Sequence, residues 1–494
     1  MGVIARYLAA AGALVCLAAV TASAGFASAR HSGRTYATHG TLPLRTSLDD
    51  PFTFTGPERA IGFEKARAAG ASYVRMIAAW NSIAPGNPPA GFDAADPTSA
   101  GYSWGWLDST VQAAEDAGVT PILDIARAPD WALATKHGKR VFTPKISALQ
   151  DFAKAIALHY NGKTSGVPAV HVFQVWNEPN LSQDLSPVSA ATYRSMVNAV
   201  AKSVHAVSRA DLVVAGGLDP FGNKGKTWYS VSPLTYMRSM LCVSMGNPKA
   251  KKKALRRPHR TCKTKANFDV WAHHPYSFNG PFGHARHKND VSLGDLPEMR
   301  SVLRTALKLH RITSRHGVQF WVTEFSWDTK PPRRHAAPIG LASRWTAEAL
   351  YQMWRSGVSL VTWFGLEDKG GKSPYQSGLY FHAKSLARAR AKPVRTAFRF
   401  PFVAYLGRGN VNVWGRDATS NKRVVTIQRR VGTHGHWRTV ARIRANAAGI
   451  FKAKLRMHAT RKDWLRATAA GSGNSLGFSL NPPSPKLRYG PWGN

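Results

Sequence analysis

The sequence has few acidic residues. Asp and Glu together number 27, against 67 Lys and Arg, which gives the 494-residue chain a formal net charge of +40. Such an excess of cations is typical of proteins that bind nucleic acid, anionic membranes or acidic polymers. The scarcity of acids also narrows the search for catalytic carboxylates, because the chain has only eight glutamates, at positions 58, 64, 115, 178, 298, 324, 348 and 367.

Long apolar runs are also scarce. The main one, residues 7–20, follows Arg6 and precedes the small-residue sites Ala22-Ser23-Ala24 and Ala27-Ser28-Ala29. A basic residue, about 14 apolar residues and A-x-A sites are typical of a secretory signal peptide. A membrane span needs about 20 residues. We therefore expect residues 1–29 to be a signal peptide and the protein to be secreted without a membrane span; an uncleaved anchor is the alternative.

Cysteine is rare as well. Removal of the signal peptide leaves only Cys242 and Cys262, and an even number in an exported chain favours one disulfide. The loop it closes gives roughly 3 kcal/mol of stabilisation on the chain-entropy model. A metal site that includes His259 is the alternative, but two thiols and one imidazole lack a fourth ligand at a usual spacing.

Apolar runs alternate with helical patterns from residue 45 to about 400. Near-continuous apolar strands separated by helices predict parallel strands that are buried on both faces. The runs number eight, which predicts a (β/α)8 barrel. A doubly wound open sheet is the alternative, but the Gly-rich nucleotide loop that usually follows its first strand is replaced here by Leu48-Asp49-Asp50-Pro51. The runs lie near residues 46–54, 73–74, 121–123, 170–176, 212–215, 268–271, 320–322 and 360–361.

Glycine supports this alternation, because it suits the left-handed position at which helices end. We expect four helices to end at Gly70, Gly118, Gly317 and Gly357. From about residue 405 short alternating runs separated by polar turns replace the helical pattern and predict a small β-sandwich-like domain. The predicted organisation is a signal peptide (1–29), a linker (30–44), a barrel (45–403) with a basic insert (243–265), a β-domain (404–482) and a tail (483–494).

Three glutamates fall at the ends of predicted barrel strands, where the chemistry of such barrels takes place. Glu178 ends the fourth strand, Glu324 ends the seventh, and Glu367 lies a few residues beyond the eighth. A carboxylate at the end of a buried strand is costly unless it is solvated, paired or used. Two carboxylates that face one pocket form the pair that glycoside hydrolysis requires. Local salt bridges are the alternative, which we favour for Glu367.

The segment Trp176-Asn177-Glu178-Pro179-Asn180 resembles the W-N-E-P motif of clan A glycoside hydrolases, and residues 322–327 resemble their strand-seven nucleophile segment. Features of the cellulase-like family 5 and the xylosidase-like family 39 are both present. The resemblance implies a retaining enzyme with Glu178 as acid/base, Glu324 as nucleophile and Asn177 as a ligand of the sugar 2-hydroxyl. It implies substrate contacts or positioning roles for six further side chains, Arg75, Trp80, Trp131, His274, Tyr276 and Trp363.

Physical chemistry agrees with these roles. Arg75 and Tyr276 can both donate to the Glu324 carboxylate and favour its ionised form. The three tryptophans suit the C–H faces of a pyranose ring, but an aromatic residue on a strand is as readily a core residue, and His274 can also be a hydrogen-bonded core residue. The mechanism requires neither metal nor other cofactor. We expect a monomer that acts on an oligo- or polysaccharide.

The positive charge is concentrated outside the predicted barrel core. Residues 384–494 hold 23 Lys and Arg against 2 Asp and Glu, and the insert 243–265 holds 9 against none. We expect the insert to lie on the active-site face and to steer an acidic polysaccharide. We expect the β-domain to hold the enzyme on an anionic cell wall. A general bias toward arginine is the alternative.

Other classes of function share parts of this pattern. A sugar-binding pseudoenzyme would keep the aromatic residues but would not need both glutamates. A transglycosylase would use the same residues. A nucleic-acid-binding protein would carry a recognisable module, and none is found in the sequence. A glycoside hydrolase that cleaves an O-glycosidic, β-linked bond is therefore the expected function.

Overall fold

The computed structural model describes residues 34–491, apart from 39, 41, 137–138, 165, 371–372, 374 and 420–422. The expected signal peptide, residues 1–29, lies outside the described residues. Within the described residues, the helices are too short or too polar to cross a bilayer.

Eight parallel strands close into a barrel, which confirms the predicted fold class. Neighbouring strands pair in chain order, and the first pairs with the last. The strands are β1 Arg45–Asp49, β2 Tyr73–Ala79, β3 Thr120–Ala126, β4 Val172–Val175, β5 Leu212–Leu218, β6 Val270–His273, β7 Gln319–Val322 and β8 Leu360–Phe364.

One principal helix follows each strand, as expected for repeated β/α units, and a single helical turn, Trp80–Ile83, follows β2 directly. Gly70, Gly118 and Gly357 end helices with positive φ, as predicted. Gly317 also has positive φ but follows a turn, because the preceding helix already ends near Leu309. The helices are α1 Arg59–Ala68, α2 Gly105–Asp116, α3 Ile146–His159, α4 Ala190–Val207, α5 Pro233–Met240, α6 Leu296–Lys308, α7 Ile339–Arg355 and α8 Pro393–Arg399.

The barrel interior changes from apolar to polar along the strands. A separate apolar cluster comes from strands β3–β8, with Ile122, Val172, Val214, Val270, Ala272, Trp321 and Leu360 as its members. Further along the strands, Arg75, Asp124 and Gln174 are buried instead. Buried polar side chains need partners, so this polar layer is where the barrel can hold a functional site.

The C-terminal β-domain contains two sheets. One joins β9 Phe402–Gly407, β10 Asn410–Arg416 and β13 Ile450–Arg456, and the other contains β11 Val424–Val431, β12 Arg438–Arg444 and β14 Asp463–Ala469. The segment expected to be a linker, 30–44, contributes the strand Arg34–Ala37, which pairs in parallel with β12. Trp414 of β10 packs against Tyr351 and Trp354 of α7, so the β-domain lies against the barrel's outer helices.

The basic insert does not lie on the active-site face, and that expectation is wrong. Helix α5 intervenes between β5 and the insert, so the chain has already returned to the N-terminal ends of the strands. Arg260 donates to the Leu309 carbonyl (3.0 Å), in the connection between α6 and β7. Residues 266–267 pair with 312–313 of the same connection. The expected disulfide is present and joins Cys242, which directly precedes the insert, to Cys262 within it.

The C-terminal tail is docked on the barrel. The Tyr489 amide donates to the Phe278 carbonyl (3.1 Å), and the Asp328 amide donates to the Pro491 carbonyl (2.8 Å). The Tyr489 ring lies 6.0 Å from the Trp345 ring. Phe278 and Asp328 belong to the loops that follow β6 and β7, so the tail supports the loops around the site described below.

Removal of residues 487–494 tests this support. Loss of two backbone hydrogen bonds and of the Tyr489 contact should lower the free energy of unfolding by about 2 kcal/mol, measured by denaturant unfolding. A chain that ends at Pro491 retains every described contact of the tail and is the matched control. Equal stability of the two truncated chains would show that the docked tail contributes nothing.

Candidate active site

The ends of β4 and β5 fix the position of Glu178. The chain leaves β4 through two residues in the left-handed region, Trp176 at φ 68° and Glu178 at φ 37°. This conformation is unfavourable for residues other than glycine and is commonly found at functional sites. The Glu178 amide donates to the Gly217 carbonyl (3.1 Å), which anchors the turn to β5.

Glu324 is held by the ends of β6 and β7. The Thr323 amide, which precedes Glu324, donates to the His273 carbonyl (3.3 Å), and Phe325, which follows Glu324, is fully buried. The Tyr276 hydroxyl donates to Glu324 Oε1 (2.7 Å). Glu324 is therefore held from below by strand pairing and from the side by a tyrosine, while its carboxylate stays partly exposed.

The structure brings both glutamates and His274 together. One carboxylate oxygen from each glutamate and one His274 ring nitrogen all lie within 4.8 Å of one another. His274 Nδ1 lies 2.9 Å from Glu178 Oε1 and 3.8 Å from Glu324 Oε2. By geometry these three groups could hold a cation. The Arg75 guanidinium, 3.6 Å from Glu324 Oε2, already supplies positive charge there and disfavours a second cation.

Arg75 is the centre of the polar layer and is 1 % exposed. It donates to Asp49, to Asp124 Oδ2 (2.7 Å) and to Asn177 Oδ1 (2.7 Å). Its contact with Glu324 is longer than these. The sequence predicted the Glu324 contact and missed both aspartates, which are the closer ionic partners.

Burial raises the pKa of Glu178 well above its usual range. The negative charges of Glu324 and Asp184 raise it further, and Arg75 opposes them. Burial and nearby negative charges both disfavour the charged form of a carboxyl group. The surroundings of Glu178 therefore favour its protonated form.

His274 is neutral near neutral pH. Burial, the strongest influence, lowers its pKa to about 4, and Arg75 lowers it as well, while Glu324 opposes the shift. Its Nε2 lies 3.2 Å from the Thr323 hydroxyl. A neutral imidazole has one donor and one acceptor nitrogen, so His274 can form hydrogen bonds with both Glu178 and Thr323.

Three aspartates of the site were missed in the sequence. Asp49 ends β1 and Asp124 lies in β3, where an acid inside an apolar strand is itself a sign of a buried partner. Asp184 follows Glu178 by six residues, and its Oδ1 accepts from Asn177 Nδ2 at 3.4 Å. Burial raises the pKa of Asp184 to about 6.

Two of the three expected sugar platforms are core residues, and that expectation is corrected for both. Trp80 is fully buried and stacks on Phe152 with the ring centres 4.8 Å apart. Trp363 is 1 % exposed, and its indole donates to the Ser377 carbonyl (2.8 Å). Trp131 is half-buried, so of the three it is the one with substantial accessible surface.

A cavity of about 420 Å³ opens beside the polar layer, where the loops after β1, β2 and β3 meet. Its wall includes Arg75, Arg127 and the half-buried Trp106. Arg75 is the residue that this cavity shares with the surroundings of Glu324. Glu367 lies apart from the pair in a local role, as expected: its Oε1 accepts from the Ala383 amide (3.0 Å).

Comparison with known proteins agrees with this geometry. Residues 52–345 match the family model described as Cellulase (glycosyl hydrolase family 5). None of the curated proteins compared matches the chain. Among solved structures, a monomeric beta-xylosidase from Caulobacter crescentus CB15 has a TM-score of 0.51 at 14% identity, with 87% of this chain and 98% of that chain covered. This likeness concerns the fold.

Two further structures have TM-scores of 0.49 at 14% identity. A family 39 glycoside hydrolase from Bacteroides cellulosilyticus WH2 matches with 84% of this chain and 79% of that chain covered. A GH39 enzyme from Xanthomonas axonopodis pv. citri matches with 88% and 96% covered.

Replacement of Arg75 tests the polar layer. The Arg75→Met variant leaves Asp49 and Asp124 buried without their cation, and such a broken buried pair should cost about 3 kcal/mol of unfolding free energy or more. Denaturant unfolding measures this cost. Arg127→Gln, at an exposed arginine next to the end of β3, is the control and should change stability by about 0.5 kcal/mol or less. A similar cost in both variants would contradict the importance of the Arg75 network.

Proposed function

The chain belongs to glycosyl hydrolase family 5, and we propose that it is a secreted enzyme that cleaves β-linked O-glycosidic bonds of an oligo- or polysaccharide with retention of configuration. The observation that carries the proposal is the close approach of the Glu178 and Glu324 carboxylates, which have oxygens within 4.8 Å of each other. Retaining glycosidases hold their two carboxyl groups roughly 5–5.5 Å apart, whereas inverting enzymes leave room for a water at roughly 6.5–9.5 Å.

Glu324 is the nucleophile in this proposal. It receives a hydrogen bond from Tyr276 (2.7 Å) and has the Arg75 guanidinium 3.6 Å from its other oxygen. Both contacts favour the carboxylate over the protonated acid. An ionised Glu324 can attack the anomeric carbon and form a covalent glycosyl-enzyme.

Glu178 is the acid/base. Burial and like charges raise its pKa and favour the protonated form, which can transfer its proton to the glycosidic oxygen as that bond breaks. Once Glu324 is esterified, its negative charge is lost, and the pKa of Glu178 falls. The resulting Glu178 carboxylate removes a proton from the water that releases the sugar, which restores both groups.

His274 maintains its contact with Glu178 through both steps. A neutral imidazole can accept a hydrogen bond from the acid form of Glu178 or donate a hydrogen bond to its carboxylate. The Thr323 hydroxyl at the other ring nitrogen can accept or donate to match. The Glu178 carboxyl group therefore stays oriented while its protonation state alternates.

Export and attachment complete the proposal. The N-terminal signal pattern and the Cys242–Cys262 disulfide support secretion. The excess of cations in residues 384–494 supports attachment of the β-domain to an acidic polysaccharide or an anionic cell wall. The insert lies at the opposite end of the barrel from the glutamate pair, so its cations do not face that pair.

Covalent trapping tests the assignment of the two glutamates. A Glu178→Ala variant, given an aryl glycoside whose phenolate leaves without protonation, should form the glycosyl-enzyme and then hydrolyse it slowly for lack of a base. Intact-mass measurement should show the chain heavier by one glycosyl group, and peptide mapping should place that group on Glu324.

Glu324→Gln is the matched control and should form no adduct with the same compound. Both variants should retain the circular dichroism spectrum of the parent protein. An adduct on a residue other than Glu324, or full turnover by Glu324→Gln, would overturn the assignment.

Asp184 should contribute to the alkaline limit of activity. Its negative charge raises the pKa of Glu178, and activity requires protonated Glu178, so activity is lost as pH rises through that pKa. In Asp184→Asn the like charge is gone, the pKa of Glu178 falls, and the alkaline limb of kcat/KM against pH should move to lower pH. Asp116→Asn, at an exposed position of α2, should leave the profile unchanged. A shift toward higher pH in Asp184→Asn would contradict this account.

A further inference from the structure

A groove of about 840 Å³ lies on the β-domain, remote in sequence from the glutamate pair. We call it the basic groove and define it by the side chains that line it, Arg34, Tyr36, Arg408, Asn410, Lys454 and Arg456. The strand Arg34–Ala37 forms one side, the turn from β9 to β10 another, and β13 the third. Four of the six side chains are cationic, and all four are exposed.

The cations of the basic groove are not neutralised by the domain that carries them. The only two acids in residues 384–494 are Asp417 and Asp463, which are 1 % and 0 % exposed. Asp463 forms an ion pair with Arg429 (2.9 Å), and Asp417 accepts from the hydroxyls of Ser472 and Thr419. The groove therefore keeps a positive field that is available to an anionic ligand.

The strand geometry places two of the four charges in a row. Lys454 and Arg456 are two residues apart on β13, so both point to the same side of the sheet, about 7 Å apart. Asn410 pairs with Arg456 in the register of β10 with β13. An extended polymer with regularly spaced negative groups fits such a row better than a single small anion does.

Asn410 holds the turn that carries Arg408. It is 8 % exposed, and its Nδ2 donates to the Arg408 carbonyl (2.7 Å). Its Oδ1 is buried, so a ligand in the groove contacts the cations and does not reach this oxygen. Guanidinium groups bind carboxylates through charge-assisted hydrogen bonds, and a glycosidase acts on carbohydrate. A carbohydrate polymer that carries carboxylate groups therefore suits the groove.

We propose that the basic groove is a binding site for a polysaccharide that carries carboxylate groups, which pair with the cations of Arg34, Arg408, Lys454 and Arg456. This inference rests on the proposed function only for the choice of a carbohydrate ligand. The overall charge supports attachment of the β-domain to an anionic polymer without indicating which part of its surface is used. The proposal assigns that attachment to the basic groove.

Binding to polygalacturonate tests the proposal, with the carboxyl-reduced form of the same polymer as the neutral comparison. A variant with Arg34, Arg408, Lys454 and Arg456 all replaced by Gln should bind polygalacturonate at least about tenfold more weakly at low salt, since each exposed ion pair contributes modestly and the four act together. The parent protein should bind the reduced polymer weakly, and its affinity for polygalacturonate should fall as salt is added.

The matched control removes the same charge from the insert, with Lys251, Lys252, Lys253 and Arg257 replaced by Gln. All four are exposed and lie outside the groove. It should retain binding within about threefold. Equal losses in the two variants would show that net charge alone is responsible and would overturn the proposal, and so would unchanged binding in the groove variant.

Two further measurements separate the possible failures. Tighter binding to a poly(glycerol phosphate) than to polygalacturonate would show that the groove serves a phosphate polymer instead, which also overturns the proposal. Turnover of a neutral aryl glycoside should be the same in the parent and in both variants, because none of the eight positions contacts the glutamate pair. Activity on that compound reports on the glycosidase assignment independently of the groove.

Discussion

The buried guanidinium of Arg75 is the interaction on which the active-site arrangement depends. It belongs to β2, and its partners are Asp49 at the end of β1, Asp124 in the second half of β3 and Asn177 in the turn after β4. One cation thus ties four neighbouring strands at the level where the barrel interior turns from apolar to polar. A buried charge is tolerated only with such partners, so the network that stabilises the barrel mouth also fixes the positive charge beside Glu324.

The two glutamates differ because their surroundings differ. Glu324 has a cation and a phenol hydroxyl beside it, whereas Glu178 faces like charges and a neutral imidazole. The acid/base and the nucleophile need environments that favour opposite protonation states of their two carboxyl groups. The left-handed exit from β4 and the end of β7 bring the pair to the same edge, as the common direction of parallel strands dictates.

The eight strands and both glutamates could be predicted because their signals are local: apolar runs, helix-ending glycines, and acids at strand ends. Partnerships across the barrel are not local, so Asp49 and Asp124 could be recognised only as unexplained acids in apolar strands. Trp80 shows a second limit of sequence-based prediction. An aromatic residue after a strand has the same sequence context whether it lies in the core or in a cleft. The expected position of the insert is wrong because α5 lies between it and β5 and returns the chain to the other end of the barrel. The docking of the tail depends on contacts between residues that are far apart in the chain.

Double displacement by Glu324 and Glu178 is tested most directly by the configuration of the first product. Proton NMR can follow the anomeric signal during cleavage of a β-linked substrate, before the released sugar mutarotates. The close approach of the two carboxylates predicts that the β-anomer appears first and the α-anomer later. Initial release of the α-anomer would show inversion and would contradict the mechanism.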